Sequence, residues 1–237
     1  MAVGGDGTWS NVANAILKTG QPASLGLVPG GTGCDLAKTL GIPPRDVAAC
    51  CRIVLGGSTK KIDVGRIEDR HFLNIAGFGY DVAVLEDSWS VSYLEGSLLY
   101  LYCALRQLRS FRGMPVAVQA NGRALRDRDL LMLIVANARI FGGGFQIAPH
   151  ADPSDGRLDV VAFGNMGLGA RLGVMQQLLR GRHIGNPKVE SVSVDKLVCR
   201  FEAPPSYETD GEWNRAHSAE LTIECVPRAL SVLVPGA

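Results

Sequence analysis

The spacing of apolar residues changes once along this chain, near residues 58–61, and that change restricts the folds open to it. Before it, apolar residues recur at helical spacing between short apolar runs bounded by glycine and proline, which is typical of α/β domains. After it, short runs with a period near two predominate, which is typical of antiparallel sheets. We therefore predict part of a doubly wound α/β domain over residues 1–59 and an antiparallel β-sandwich over residues 60–237.

Three helices and one strand are predicted in the first part. The first helix is marked by an apolar stripe at Trp9, Val12, Ala13, Ile16 and Leu17. A strand over 25–28 precedes a second helix over 36–40, for which Thr32 and Asp35 have the spacing of a capping box. A third helix follows Pro43-Pro44, and its apolar face is predicted to be Val47, Cys51 and Val54.

The second part consists mainly of predicted strands, at 62–67, 72–76, 116–120, 130–136, 158–163, 189–194, 197–201, 220–225 and 230–234. Asn121-Gly122, between two of these runs, is a strong signal for a tight hairpin. Two helices interrupt the strands. Their apolar faces are predicted to be Leu98, Leu101, Tyr102, Leu105 and Leu108 in the first, and Leu172, Met175, Leu178 and Leu179 in the second.

Composition and charge exclude several classes of protein. The 237 residues carry a net charge of +1, so the molecule as a whole has no field that attracts nucleic acid. The longest wholly apolar run, Leu98–Leu105, is too short to span a bilayer, and no targeting segment is recognisable. The cysteines lack C-x-x-C spacing and the histidines share no spacing. We therefore expect reduced cysteines, a cytoplasmic location, and neither a histidine-based metal site nor a Ser/His/Asp triad.

Two glycine-rich loops precede predicted helices, Gly4-Gly5-Asp6-Gly7-Thr8 and Gly30-Gly31-Thr32-Gly33. Such loops let backbone N–H groups approach a phosphate, and the helix dipole adds to the attraction. Each loop alone is compatible with a tight turn, but at the same ends of adjacent strands the two predict a nucleotide or phosphate site. Asp6 would be repelled by phosphate unless it bridges to Mg²⁺ or braces its own turn, and both roles stay open.

Two acidic turns and one basic segment are further candidates for function. Asp210-Gly211-Glu212 has the form of a hairpin turn, and Asp152-Pro153-Ser154-Asp155-Gly156 has the form of an ordinary β-turn. The segment 106–128 carries Arg106, Arg109, Arg112, Arg123, Arg126 and Arg128. A solvated basic face is the usual explanation for such a run, and the alternative is contact with an anionic membrane surface.

These motifs together resemble the catalytic-domain signature of the diacylglycerol kinase and sphingosine kinase family of lipid kinases, and most closely the bacterial diacylglycerol kinase-like branch. The likeness runs from the first glycine loop through residues 29–37, 74–79, 155–159 and 209–212 to the final strands. Cys34 departs from the family pattern, in which asparagine or a small residue usually precedes the aspartate. We expect a local change in contacts there.

The resemblance implies a two-domain enzyme with an ATP-binding α/β domain, a β-sandwich domain and a substrate cleft between them. It implies contacts to ATP from Gly4, Gly5, Asp6, Gly7, Thr8 and Thr32. Asp210 or Glu212 would accept the proton of the acceptor hydroxyl, and Asp6 would join them in the catalytic site. The resemblance also implies a structural Mg²⁺ held by the side chain of Asp155 and the carbonyls of Asp152 and Arg157.

We therefore expect an ATP- and Mg²⁺-dependent lipid kinase that transfers the γ-phosphoryl group to a hydroxyl of a diacylglycerol-like lipid at the inner face of a membrane. One alternative is an NAD kinase-like enzyme, which shares the Gly-Gly-Asp-Gly loop. The second loop and the 210–212 turn count against it. The other alternative is a non-catalytic nucleotide- or lipid-binding protein on the same scaffold, against which the carboxylates Asp6 and Asp210 count.

Only Met1–Val3 precede the first glycine loop, which is too few residues for a full strand. From the family likeness we expect an earlier βαβα segment upstream of residue 1. Its absence would leave a strand edge open and favour association, with a homodimer as one outcome. On this expectation, residues 1–237 alone bind ATP weakly and turn over little lipid.

Overall fold

A computed structural model describes residues 1–44 and 46–236, so Ala237, the last residue of the predicted sandwich, lies outside the described residues. The α-helices are α1 (Asp6–Thr19), α2 (Asp35–Thr39), α3 (Val47–Gly56), α4 (Tyr80–Ser88), α5 (Gly96–Ser110) and α6 (Leu168–Leu178), and a 3₁₀ helix covers Arg182–Gly185. The strands are β1 (Ala2–Gly4), β2 (Ser24–Pro29), β3 (Ser58–Ile67), β4 (Arg70–Phe72), β5 (Ile75–Gly79), β6 (Met114–Ala120), β7 (Arg123–Ala124), β8 (Asp129–Ala136), β9 (Leu158–Gly164), β10 (Val189–Val194), β11 (Lys196–Phe201), β12 (Ser206–Thr209), β13 (Glu212–Arg215) and β14 (Glu220–Val234).

The last strand of the chain completes the unit that opens it. β1 pairs in parallel with β2, and the end of β14 pairs in parallel with β2 on its other side. α1 and α3 pack against these strands. The apolar core of this unit includes Trp9, Ala13, Leu25, Leu27, Cys50, Leu230 and Val232. The core of the first unit therefore depends on residues of β14, which lie more than 200 positions after β1 in the sequence.

The predicted division between residues 1–59 and 60–237 falls inside β3. This strand pairs with β14 from one end to the other, with Ser58 opposite Val234 and Ile67 opposite Ile223. β14 is a single strand with a bulge between Val226 and Leu230, where the sequence predicts two strands. The sheet is continuous across the predicted boundary, and the division itself stays a prediction.

The predicted sandwich consists of two sheets that share one core. One contains β3, β4, β6, β11 and β14, and the other contains β5, β8, β9, β10, β12 and β13. All of these pairings are antiparallel. Both sheets contribute to a core that includes Ile67, Phe72, Val118, Leu133, Val160, Leu197 and Ile223. Asn121 and Gly122 both have positive φ in the turn between β6 and β7, which confirms the predicted hairpin.

The predicted apolar face of α5 does not face the core. Leu98, Leu101 and Leu105 are at least half exposed, whereas Cys103 and Leu108 are buried. Helical spacing identifies an apolar face, but it does not show whether another layer covers that face. α5 packs on α4 and α6, and its leucine stripe lies outside those contacts. No helix in the described ranges is long and apolar enough to cross a membrane.

Two other helices bury residues next to the predicted ones. In α6, Arg171 and Val174 are buried and Leu172 is exposed. Arg171 is buried because its guanidinium donates to backbone carbonyls, including that of Leu108 at 2.7 Å. In α3, Cys50 is buried, whereas the predicted Val47 and Cys51 are exposed. Each apolar face is therefore rotated from the predicted one.

The start of α2 also differs from the prediction. Cys34 is the residue that precedes the helix, with a φ of 51°, and its side chain makes no capping bond. Because Asp35 is the first helical residue, Thr32 and Asp35 do not hold the positions of a capping box. The predicted strand over 72–76 is divided into β4 and β5 by Leu73 and Asn74.

Gly65 offers a test of this packing, because it faces Phe72 across the β3–β4 pair. A Cβ on Gly65 would lie 1.9 Å from Cζ of Phe72, whose side chain is fully buried. We expect Gly65→Ala to lower the free energy of unfolding by about 1–3 kcal/mol through overpacking, measured by urea denaturation. The control is Gly144→Ala, where a Cβ meets nothing within 4 Å. Equal stability of the two variants would contradict the predicted clash.

Candidate active site

The two glycine loops lie side by side at the carboxyl ends of β1 and β2. The N–H of Gly30 donates to the carbonyl of Gly4 at 2.8 Å. A Cβ on Gly31 would lie 2.6 Å from Cα of Gly5, so this approach of two backbones requires glycine. No side chain caps the start of α1, so the N–H groups of its first turn are available to an anion.

Asp6 joins the first loop to the second. Its carboxylate accepts the N–H groups of Asp35 and Leu36, each at 3.1 Å, and so caps α2 from outside. Burial raises the pKa of this carboxyl, and the two N–H bonds oppose the shift. Asp6 thus braces a turn, but the turn belongs to the neighbouring loop. Its predicted role toward Mg²⁺ stays a prediction.

A third loop, which contains Gly143, is bonded to α2 beside the two glycine loops. Asp35 and Lys38 make these bonds, and the sequence predicts no such role for them. Asp35 is buried, forms an ion pair with Lys38 at 2.8 Å, and accepts the N–H of Gly143 at 2.8 Å. The ammonium group of Lys38 also donates to the carbonyl of Gly143 at 2.7 Å. Local spacing around Asp35 contains no signal for a partner 108 residues away.

Glu212 reaches the first glycine loop from the far end of the chain. Its Oε1 lies 2.7 Å from the position that a Cβ on Gly7 would occupy, so the contact depends on the absence of a side chain there. Glu212 opens β13 and is exposed. The fold therefore places an accessible carboxylate beside the loop that the sequence predicts to bind phosphate.

Asp210, the other candidate base, is 5% exposed. Its two oxygens accept the N–H groups of Leu73 and Asn74 at 2.8 Å and of Ile75 at 3.1 Å. Burial raises its pKa to about 6 against the effect of these bonds. A buried carboxylate that already has three donors is poorly placed to take a proton from a substrate, so the geometry favours Glu212 over Asp210.

α1 is fastened to the sandwich close to this turn. The side-chain amide of Asn14 donates to the carbonyl of His71 at 2.8 Å, and its Oδ1 accepts the N–H of His71 at 2.9 Å. His71 lies in β4, directly before the segment that binds Asp210. These bonds set the distance between the glycine loop at the start of α1 and the β12–β13 hairpin.

The predicted Mg²⁺ turn is held by Asp63 and does not join the glycine loops. Asp63 is fully buried, and its N–H donates to the carbonyl of Pro153 at 2.7 Å. Its carboxylate accepts the N–H groups of Gly156 and Arg228, both at 2.7 Å. Asp63 thus connects three segments, and no spacing in the sequence indicates this role.

The predicted ligands of that Mg²⁺ are largely engaged in the turn itself. The carbonyl of Asp152 accepts the N–H groups of Ser154 at 2.7 Å and Asp155 at 3.3 Å, and Oδ1 of Asp155 accepts the N–H of Arg157 at 2.9 Å. Oxygen ligands suit a hard cation, but both lone pairs of the Asp152 carbonyl already accept N–H groups of its own turn. Within residues 1–44 and 46–236, no three His, Cys, Asp or Glu side chains converge on a metal position. The Mg²⁺ site stays a prediction.

Two domain families match the chain. Residues 1–67 match the diacylglycerol kinase catalytic domain, and residues 74–234 match the YegS C-terminal NAD kinase beta sandwich-like domain. A diacylglycerol kinase from Mycobacterium tuberculosis is 30% identical over 240 residues, which cover 99% of this chain and 76% of that protein.

Solved structures share the fold. A crystal structure of a diacylglycerol kinase from Bacillus anthracis str. Sterne has a TM-score of 0.71 at 20% identity, with 98% of this chain and 74% of that chain covered. An NAD kinase from Archaeoglobus fulgidus in complex with ATP has a TM-score of 0.51 at 14% identity, with 98% and 75% covered. At these identities the likeness concerns the fold alone.

The match to the diacylglycerol kinase catalytic domain and the similarity to named diacylglycerol and lipid kinases define the class as lipid kinases. The chain belongs to the diacylglycerol kinase family. The resemblance, the fold class and the enzyme class predicted from the sequence are confirmed.

Asp6 offers a test of the loop arrangement. Asp6→Ala removes the acceptor for two N–H groups of α2, so we expect a loss of about 0.5–2 kcal/mol in stability and weaker binding of ATP, measured by calorimetry. Asp46→Ala is the matched control, because Asp46 caps α3 by accepting the N–H of Ala49 at 2.8 Å. We expect Asp46→Ala to lower the stability by about as much as Asp6→Ala does and to leave the affinity for ATP unchanged. Equal affinity in the two variants would show that Asp6 does not organise a nucleotide site.

Proposed function

We propose that this chain transfers the γ-phosphoryl group of ATP, with Mg²⁺, to a hydroxyl of a diacylglycerol-like lipid at the cytoplasmic face of a membrane. The observation that carries the proposal is the position of Glu212 against Gly7. It puts an accessible carboxylate next to a loop whose N–H groups suit a phosphate. Membership of the diacylglycerol kinase family supports kinase chemistry and, with it, a nucleotide donor.

Phosphoryl transfer asks the protein mainly for positioning and for stabilisation of charge. In the proposed mechanism, the N–H groups at the start of α1 and in the second loop bind the phosphates of ATP. The exposed side chains of Thr8 and Thr32 supply further donors. Asp6 keeps the two loops in register. When bound, Mg²⁺ neutralises charge on the phosphate oxygens.

In the same mechanism, Glu212 accepts the proton of the lipid hydroxyl as its oxygen attacks the γ-phosphorus. Its neighbour Trp213 restrains it, because the indole N–H of Trp213 donates to Glu86 at 2.8 Å. Trp213 also packs edge-on against Trp89, with ring centroids 5.6 Å apart. Asp210 anchors the turn from the inside through its three backbone bonds.

An exposed apolar surface beside this hairpin supports a lipid acceptor. Trp89, Leu98, Leu101 and Leu105, which we call the α5 surface, are 51–67% exposed. Trp89, which directly follows α4, contacts Trp213 and so lies one residue from Glu212, and α4 packs against α5. Tryptophan and leucine exposed together suit the boundary between lipid headgroups and acyl chains. A soluble dinucleotide acceptor would need no such surface.

Among the described residues, two of the six arginines of the basic segment form ion pairs and the other four form none. Arg106 forms an ion pair with Asp87, and Arg126 forms one with Glu190. Arg109 lies in the last turn of α5 and Arg112 follows it, so both are close to the α5 surface. We propose that these two arginines attract anionic lipid, while the paired arginines serve the fold.

The test of the proposed function is transfer of labelled phosphate from ATP into micelles of diacylglycerol, sphingosine, ceramide or phosphatidylglycerol, with NAD as the soluble acceptor. We expect label in diacylglycerol. Labelled NADP as the only product would support the NAD kinase alternative instead. Binding of ATP without any labelled product would support a non-catalytic protein.

Two conservative variants distinguish the proposed catalytic role of Glu212 from the structural role of Asp210. We expect Glu212→Gln to lower kcat by about 10² or more with an unchanged melting temperature, because it removes only the base. We expect Asp210→Asn to lower the melting temperature, because an amide replaces an oxygen that accepts backbone N–H groups. Steady-state kinetics and thermal unfolding check both. An unchanged kcat in Glu212→Gln would exclude it as the base.

The α5 surface is tested by sedimentation with anionic vesicles of phosphatidylglycerol and phosphatidylcholine. Combined Leu98→Gln, Leu101→Gln and Leu105→Gln should weaken binding by about tenfold or more, because apolar area can no longer enter the bilayer. Arg109→Glu with Arg112→Glu should weaken it most at low salt. The control is Leu55→Gln, since Leu55 is 87% exposed on α3, in the first unit. Equal binding by all variants would leave a solvated basic face as the explanation for the arginines of residues 106–128.

A further inference from the structure

Two buried carboxyl groups, Asp81 and Glu208, meet where α4 packs against β12. Asp81 lies in the first turn of α4 and is 8% exposed, and Glu208 lies in β12 and is 4% exposed. Glu208 is opposite Gly77 in the β5–β12 pair. A Cβ on Gly77 would lie 1.7 Å from Oδ2 of Asp81, so only glycine leaves room for the carboxyl group.

The same Cβ position lies 3.1 Å from Cγ of Glu208, so the two side chains are direct neighbours, and no cation in the described part of the chain pairs with either carboxyl group. By distance and angle, no donor among the described residues reaches either oxygen of Asp81 or Oε1 of Glu208. The titratable groups that face the pair are Tyr80 from α4, Tyr100 from α5, and Asp210 from the hairpin. Each of these is neutral or negative near neutral pH.

Two buried carboxylates in contact repel each other strongly, and the low-cost state is one in which a proton lies between them. Burial raises the pKa of Asp81 to about 7. Burial and the charge of Asp81 raise the pKa of Glu208 well above its usual range. Near neutral pH the pair therefore holds at least one proton, and one carboxyl donates to the other.

The Asp81–Glu208 pair lies among the elements that position Glu212, the proposed base. Glu208 lies four residues before Glu212 in the β12–β13 hairpin, and Trp213 directly follows Glu212. α4 contacts the hairpin at both places, through Asp81 on Glu208 and through Glu86 on the indole of Trp213. α4 is itself tied to α5 by the ion pair of Asp87 with Arg106.

We propose that Asp81 and Glu208 share a proton that joins α4 to the catalytic hairpin and so positions Glu212 against Gly7. The proposal rests on the proposed function for its kinetic consequences but not for the shared proton. Both residues act through Glu212 and are positioning residues.

The pH dependence follows from the direction of both shifts. A carboxyl whose pKa is raised by folding contributes its full stability at acidic pH and loses it as pH rises through the folded value. Loss of the last shared proton at alkaline pH leaves two adjacent charges, so α4 and the hairpin separate. We expect kcat to fall reversibly in that range, with KM for ATP little changed.

The test compares two substitutions at Glu208. Glu208→Gln keeps a donor for Asp81 but has no proton to lose, so we expect at least half of wild-type kcat near neutral pH and no alkaline fall attributable to the pair. Glu208→Ala leaves Asp81 without its partner and should lower kcat by about 10- to 100-fold, as small displacements in a site do. Glu202→Gln, the same exchange at an exposed position, should change neither value.

The infrared carbonyl band of a protonated carboxyl group reports the shared proton without any assay of activity. At mildly alkaline pH, where Asp210 is ionised, we expect this band in the parent protein and not in Glu208→Gln. Its absence from the parent would overturn the proposal, as would a Glu208→Gln variant as impaired as Glu208→Ala. A parent that shows the band but phosphorylates no lipid would retain the shared proton and refute the proposed function.

Discussion

Carboxylates that accept backbone N–H groups connect segments of this chain that are far apart in sequence. Asp6 binds the start of α2, Asp63 binds the 153–156 turn and the β14 bulge, and Asp210 binds residues 73–75. An ionised carboxylate is buried at acceptable cost only where several donors replace its water. Each segment is therefore held where its N–H groups meet the carboxylate, so Asp6 fixes the start of α2 beside the first glycine loop and Asp210 fixes the hairpin against residues 73–75.

Asp81 and Glu208 represent the opposite case, because few or no donors surround them. Their burial is compatible with folding only if a proton reduces the charge of the pair. The same helix, α4, also contacts Trp213 and is ion-paired to α5. The layer that carries the exposed α5 surface is thus joined to the hairpin that carries Glu212. The proposed contact with a membrane and the position of the proposed base therefore depend on the same elements.

The features that local sequence predicts well are those whose cause is local. Paired glycines, the Asn121-Gly122 turn and period-two strands each depend on the conformational preferences of neighbouring residues. The structure has the loops, the hairpin and the antiparallel sheets as predicted. The faces of α3, α5 and α6 are wrong because a helical stripe shows which residues are apolar and not which neighbours cover them. Arg171 illustrates this point, since backbone acceptors supplied by distant segments make its burial favourable.

The sequence by itself determined the fold class, the family and the set of candidate residues, because these depend on motifs that lie within a few residues of each other. Only the tertiary structure decided which of those candidates is accessible and which is held by backbone donors. Asp210 and Glu212 are two positions apart, yet one has three backbone donors and the other faces Gly7. The reversal of the chain at the hairpin turn directs their side chains to different environments. Asp63, Asp81 and Glu208 carry no local signal, because the donors or the partner that define their roles come from distant segments of the chain.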